Sequence, residues 1–135
     1  MATRKVRIFL GKLGRGHKQA LLNLAKSLSE AGFEVIYSEL HEPEAIVKSA
    51  LQESVDHIGI TILPGAEIHP LKEILQLLKE VEADHISVTA GGSLSHEDMT
   101  RIREMGVMAV FPSGTTLDKL VEWSRQNIRT ELPIV

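Results

Sequence analysis

His57-Ile58-Gly59-Ile60-Thr61-Ile62-Leu63 is nearly all apolar. A strand with one wet face alternates apolar and polar residues, whereas one covered on both faces need not, and such strands belong to parallel sheets. The flanking segments support that reading. Before the run, Pro43 opens a helix with Ile46, Val47, Ala50 and Leu51 on one face, as suits proline in a first turn. After it, Leu71, Ile74, Leu75 and Leu78 recur at helical spacing.

The same alternation extends to both ends. Upstream, Val6-Arg7-Ile8-Phe9-Leu10 reads as a first strand stopping at Gly11. Leu21, Leu24, Ala25 and Leu28 then mark a helix closed by Gly32, and Phe33 to Tyr37 a second strand. Downstream, His85 to Thr89 is a fourth strand ending in Ala90-Gly91-Gly92. Ser95-His96-Glu97-Asp98 has the form of a capping box, and its helix stops at Gly106. Val107 to Phe111 is a fifth strand, and Leu117, Leu120 and Val121 mark a last helix.

Five β–α units in succession predict an α/β fold, a doubly wound, five-stranded parallel sheet with helices on both faces. Right-handed crossovers leave few topologies, and the flavodoxin-like (Rossmann-like) order 2-1-3-4-5 is the common one for five strands. Residues 1–128 are expected to form a single domain and 129–135, with Pro133 and no periodicity, a loose tail.

Composition narrows the function. The 135 residues are 43% hydrophobic and 24% charged, with a net charge of −3. That is the profile of a soluble globular domain and speaks against nucleic acid as the main partner. With no cysteine, disulfides, thiolate metal sites and cysteine nucleophiles are excluded. No apolar run approaches the ~18 residues of a membrane helix, and no signal-peptide apolar region follows Met1, so a cytoplasmic protein is expected.

In such a sheet ligands bind beyond the carboxyl ends of the strands, at the switch point between strands 1 and 3. Four loops lie there: Gly11 to Lys18, Thr61 to Gly65, Ala90 to Ser93, and Phe111 to Thr116. All are rich in glycine or small hydroxyl residues, and glycine lets backbone approach a ligand closely. Four such loops on one edge point to a large ligand with many backbone contacts. The first loop is basic through Lys12, Arg15 and Lys18, with no acid between Lys5 and Glu30. That excludes a phosphoacceptor receiver, whose magnesium needs an acidic cluster here. A flavodoxin phosphate loop would need hydroxyls that this loop lacks. The Walker pattern fails too, since Gly11-x-x-x-x-Gly16 is followed by His17-Lys18. What remains is His17, a side chain suited to metal binding, in a flexible cationic loop.

These residues resemble the cobalamin-binding domain of methylmalonyl-CoA mutase and the other acyl-CoA mutases. The likeness lies in the spacing from His17 to Gly32-Phe33, Leu63-Pro64-Gly65, the pair Gly91-Gly92, and Pro112-Ser113-Gly114-Thr115. It runs from about Arg7 to Asn127. The family's markers are D-x-H-x-x-G after strand 1, S-x-L after strand 3 and G-G after strand 4. The resemblance implies that His17 is the lower axial ligand of cobalt, displacing the cofactor's dimethylbenzimidazole. That nucleotide tail would enter a slot between the sheet and the first helix. It further implies cofactor contacts from Lys12, Gly16, Thr61 and Leu63 (for S-x-L), Gly91, Gly92, Ser113, Gly114 and Thr115. The motif is degenerate. Arg15 stands in place of Asp and Ala20 in place of the final Gly, and the loop before His17 is one residue shorter. Arginine cannot accept the bond that orients the histidine, and the Ala20 Cβ is expected to narrow the slot.

By this resemblance the chain is the cobalamin-binding small subunit of an adenosylcobalamin-dependent acyl-CoA mutase, a carbon-skeleton isomerase. A barrel of about 250 residues would not fit, so a large acyl-CoA-binding subunit is the implied partner and the chain alone is expected to be inactive. Self-association stays open. The glutamate mutase small subunit has the same size and fold; a corrinoid methyl carrier would carry a helical cap before strand 1. Two other classes also remain: a homologue that has lost the cofactor and serves as an interaction or regulatory module, and an anion-binding module using the basic loop.

The other histidines (His41, His57, His69, His85, His96) show no i, i+4 histidine pair and no carboxylate at metal spacing, and are expected to be structural or superficial. His69 alone is placed to approach a corrin edge. For Trp123 both partial burial and a partner contact stay open.

Overall fold

The computed structural model describes residues 4–16 and 19–129. Strands and helices alternate without exception along the described chain: β1 (Arg7–Leu13), α1 (Gln19–Glu30), β2 (Glu34–Tyr37), α2 (Pro43–Gln52), β3 (His57–Ile62), α3 (His69–Glu80), β4 (Ser87–Gly92), α4 (His96–Met105), β5 (Ala109–Pro112) and α5 (Leu117–Asn127). All neighbouring strands are parallel, in the order β2-β1-β3-β4-β5. The doubly wound, flavodoxin-like sheet expected from the periodicity is therefore present. No helix among the described residues is long and apolar enough to cross a membrane.

Burial follows strand parity. Phe9 and Leu13 of β1, Ile58, Ile60 and Ile62 of β3, and Val88 and Ala90 of β4 share one core with Ile46 and Val47 of α2, Leu71, Ile74 and Leu78 of α3, and Ile102 of α4. The opposite parity faces α1 and α5. There Ile8 and Leu10 pack with Leu21, Leu28, Phe33 and Ile128, and Val121 and Trp123 of α5 lie against them. On β3 and β4 this second face carries His57, Gly59 and Thr61 beside Ser87, Thr89 and Gly91, held in register by His57↔Ser87, Gly59↔Thr89 and Thr61↔Gly91. The first core is dense with branched side chains; the second thins out over the centre of the sheet.

Strand boundaries differ from the periodicity, most clearly in β1, β4 and β5. β1 does not stop at Gly11, because Gly11, Lys12 and Leu13 pair with Ile60, Thr61 and Ile62 of β3. β4 starts at Ser87, since His85 is exposed and the Ile86 N–H donates to Ala83 O at 3.1 Å in a turn. It then runs through Gly91 and Gly92, read above as loop. β5 starts at Ala109, two residues after Val107. In α4 the Ser95 Oγ accepts from the Asp98 N–H at 3.0 Å. Among the described residues nothing returns from the Asp98 carboxylate, so only the serine half of the capping box forms. Of the expected C-terminal tail, residues 130–135 lie outside the described residues.

At the amino edge of the sheet, Asp56 is 4% exposed. Its carboxylate accepts from both terminal nitrogens of Arg4, at 2.6 and 2.9 Å, and from the Arg7 backbone N–H at 2.8 Å. A bidentate, charge-assisted pair of this kind fixes geometry as well as charge. It clasps the segment entering β1 beneath the start of β3.

Gly92 is the tightest backbone position. Its φ is +129°, and a Cβ there would collide with the Ile62 carbonyl oxygen of the neighbouring strand. Both faults act together in Gly92→Ala. It should lower stability by about 3 kcal/mol or more, measured as the shift of the urea unfolding midpoint. Gly32→Ala, also at positive φ but facing open space, should lose only about 1 kcal/mol.

Candidate functional site

Where the second core thins, a cavity of about 250 Å³ opens between the sheet and the helices α1 and α5. Its floor is Ile8 and Leu10 of β1, His57, Gly59 and Thr61 of β3, and Thr89 and Gly91 of β4. Ala20, Leu24 and Leu28 of α1 and Leu120, Trp123 and Ser124 of α5 form its roof. The loop after β5, Ser113 to Thr115, borders it at the carboxyl edge. From Thr61 to His57 it spans four residues of strand, roughly 13 Å at about 3.3 Å per residue.

Two absent side chains keep the space open. A Cβ on Gly59 would stand 3.0 Å from Leu10 Cδ2, and one on Gly91 would stand 3.0 Å from the Phe111 carbonyl oxygen. Phe111 and Trp123 close one wall edge to face, with ring centroids 5.1 Å apart and planes at 77°. A slot floored by bare backbone at Gly59 and Gly91 and roofed mainly by hydrocarbon suits a flat, partly apolar group. Its lining fits a heteroaromatic appendage of a larger cofactor held at the carboxyl edge.

Of the residues predicted from sequence, Thr61, Gly91, Gly92, Ser113, Gly114 and Thr115 line this cavity. The Thr115 hydroxyl donates to Pro112 O at 2.7 Å, so its proton serves the loop's own turn. Lys12, Gly16 and Leu63 are not in the lining; they lie at or just beyond the carboxyl ends of β1 and β3. The Lys12 Nζ donates to Gly14 O at 3.4 Å, and a Cβ on Gly16 would meet Leu63 Cδ1 at 3.7 Å. His17, the predicted axial ligand, and Lys18 lie outside the described residues. Arg15 is exposed, and Ala20 lines the slot as expected from its Cβ.

Among the described residues no group of three His, Asp or Glu is placed to hold a metal ion. His41, His85 and His96 are exposed. His69 begins α3 with its Nε2 2.8 Å from Glu73 Oε1, a carboxylate partner one turn on that the spacing argument missed. His69 is not in the cavity lining.

His57, expected to be structural or superficial, is buried at the deep end of the slot. It is 2% exposed. Its Nδ1 lies 2.6 Å from Ser87 Oγ and its Nε2 2.8 Å from Thr89 Oγ1. Desolvation by burial pushes its pKa from 6.5 down to about 3, so the ring is neutral at pH 7. Strand parity places it there: His57, Gly59 and Thr61 alternate with isoleucines, and Ser87, Thr89 and Gly91 alternate with Val88 and Ala90 one strand over.

Residues 8–121 match the B12 binding domain family, and the chain belongs to that family. It is 37% identical over 119 residues to the 2-hydroxyisobutanoyl-CoA mutase small subunit of Aquincola tertiaricarbonis, covering 87% of this chain and 88% of that one. The pivalyl-CoA mutase small subunit of Xanthobacter autotrophicus is 30% identical over 122 residues, covering 89% and 82%. Among solved structures, a cobalamin-binding protein from Desulfitobacterium hafniense shares the fold, with a TM-score of 0.73 at 18% identity over 91% of this chain and 59% of that one. The chain is thus related to the small subunits of acyl-CoA mutases.

The buried ring sets an acid limit on stability. Above pH 6.5 both folded and unfolded states hold it neutral. Between 6.5 and 3 only the unfolded state takes up the proton, so stability falls as pH drops through that window, by up to about 1.4 kcal/mol per pH unit from this group. Urea unfolding followed from pH 7 to pH 4 should show this slope in the wild type. His57→Asn should be flatter by most of that amount.

Proposed function

We propose that this chain is the cobalamin-binding small subunit of an adenosylcobalamin-dependent acyl-CoA mutase, a carbon-skeleton isomerase whose acyl-CoA-binding large subunit is a separate chain. The observation that carries the reading is the slot beneath α1 and α5, opening at the sheet edge where ligands bind in this fold. Membership of the B12 binding domain family and likeness to two acyl-CoA mutase small subunits over most of their length support it.

In this reading the slot residues, Gly59 and Gly91 among them, would hold the cofactor's nucleotide tail. Lys12, Gly16 and Leu63 meet the corrin side, and Thr61, Gly92 and Ser113 to Thr115 border the entrance. His17 would be the residue that holds the cobalt. The bound cofactor brings radical chemistry through homolysis of its cobalt–carbon bond. The protein's part is to orient it and keep water from it. None of the cavity's polar groups is a charged acid or base, so substrate binding falls to the partner chain.

Arg15 bears on how tightly the axial ligand is held. An acceptor beside a metal-bound histidine fixes the ring and raises its basicity, and losing one typically costs about 10–100-fold in affinity. A guanidinium offers no acceptor. Titration with adenosylcobalamin, followed in the visible spectrum, tests the whole reading. Wild type should give the spectrum of cofactor with its own base displaced and a histidine nitrogen on cobalt; His17→Ala should lose that signature. Arg15→Asp should bind about tenfold more tightly. No spectral change at millimolar cofactor would overturn the proposal in favour of a module that has lost its cofactor.

A further inference from the structure

The deep end of the slot is polar for no reason that packing supplies. Three polar side chains, His57, Ser87 and Thr89, fill positions where a parallel strand ordinarily places valine or isoleucine. Burying His57 and Thr89, with a half-buried Ser87 as the ring's second partner, stabilises a fold less than hydrocarbon of the same volume would. Every polar atom of the network is nonetheless satisfied: among the described residues no buried side-chain nitrogen or oxygen lacks a partner.

The network's chemistry faces the cavity. A neutral imidazole has one N–H and one lone pair, so one hydroxyl must accept from the ring and the other must donate to it. Thr89 is the hydroxyl that lines the slot. When the Nε2–H donates to Thr89, the threonine keeps its own proton to give to a ligand. When Thr89 donates to Nε2, its oxygen offers a lone pair instead. A tautomer exchange at His57, compensated at Ser87, switches between the two. Two residues nearer the mouth on the same face, the Thr61 hydroxyl lines the slot with no hydrogen-bond partner among the described residues. Gly59 between them leaves the approach clear.

We propose that His57, through Thr89 and Ser87, is a specificity-determining residue of the slot: it selects a cofactor appendage whose flat base carries hydrogen-bonding nitrogen or oxygen on its leading edge, the purine class, over a base edged only with methyl groups. The inference rests on the reading of the slot as the seat of the nucleotide tail. A methyl edge placed against Thr89 makes no hydrogen bond and shuts the hydroxyl away from water, whereas a ring nitrogen or exocyclic amine meets whichever form the tautomer offers.

The experiment compares two corrinoid cofactors that differ only in the lower base, adenine in one and dimethylbenzimidazole in the other. Their dissociation constants are measured spectroscopically on the whole chain. Wild type should bind the adenine form about tenfold more tightly, the size of one good neutral hydrogen bond. The combined variant His57→Val, Ser87→Ala, Thr89→Val should bind both and lose the preference. Thr89→Val alone removes only the hydroxyl facing the slot and leaves Ser87 bonded to the ring, so it serves should the combined variant fail to give a native circular dichroism spectrum. Equal affinities in the wild type, a preference for dimethylbenzimidazole, or a preference that both variants keep would each overturn this inference and leave the cofactor reading standing. Failure of the wild type to bind either form would overturn both.

Discussion

On one face of β3 and β4 the middle positions are glycines, and the site depends on that constraint. Isoleucines at 58, 60 and 62 seal the sheet against α2, α3 and α4. Their neighbours of opposite parity are a histidine, a glycine and a threonine. With Gly59 and Gly91 contributing nothing above the backbone, α1 and α5 rest on the margins of the sheet and span its middle. The two faces of one strand thus divide the work: one supplies cohesion, the other a space. Filling that space with side chains would gain apolar contact and leave nowhere for a ligand to enter.

The glycines at the end of β4 have a dual character. Gly91 keeps a slot wall thin, and it lies close to the Phe111 backbone. Gly92 takes a backbone conformation and an approach to Ile62 that other residues do not allow. The sheet itself therefore requires the second of the pair, cofactor or not. A homologue that had lost its ligand would still keep Gly92. Gly59 and the His57 network are better witnesses to binding, because the fold has cheaper alternatives at both.

Much of this was legible in the sequence. The apolar run at 57–63 and the helical spacing around it point to the sheet type, and the glycine- and hydroxyl-rich loops lie at the edge where the slot opens. Strand ends were less legible, since pairing with a longer neighbour carries β1 through Gly11 and β4 through Gly91-Gly92, where local propensity says stop. The depth of the slot was hidden for a different reason. Loop composition draws attention to the rim, whereas the cavity floor is written in the alternate residues of two strands that only register brings side by side. Read singly, His57 is a core histidine; read beside Ser87 and Thr89, it is the end wall of a slot.

The Arg4–Asp56 clasp fixes where the chain departs from the sheet. It anchors residue 4 at the amino edge of the sheet, and α5, running antiparallel to the strands, returns Ile128 to pack beside Ile8 and Phe33 near the same edge. Both ends of the described fold leave from the side remote from the slot's entrance. A copy tethered by either end, to a solid support or to another polypeptide, would therefore stand with its entrance directed away from the attachment.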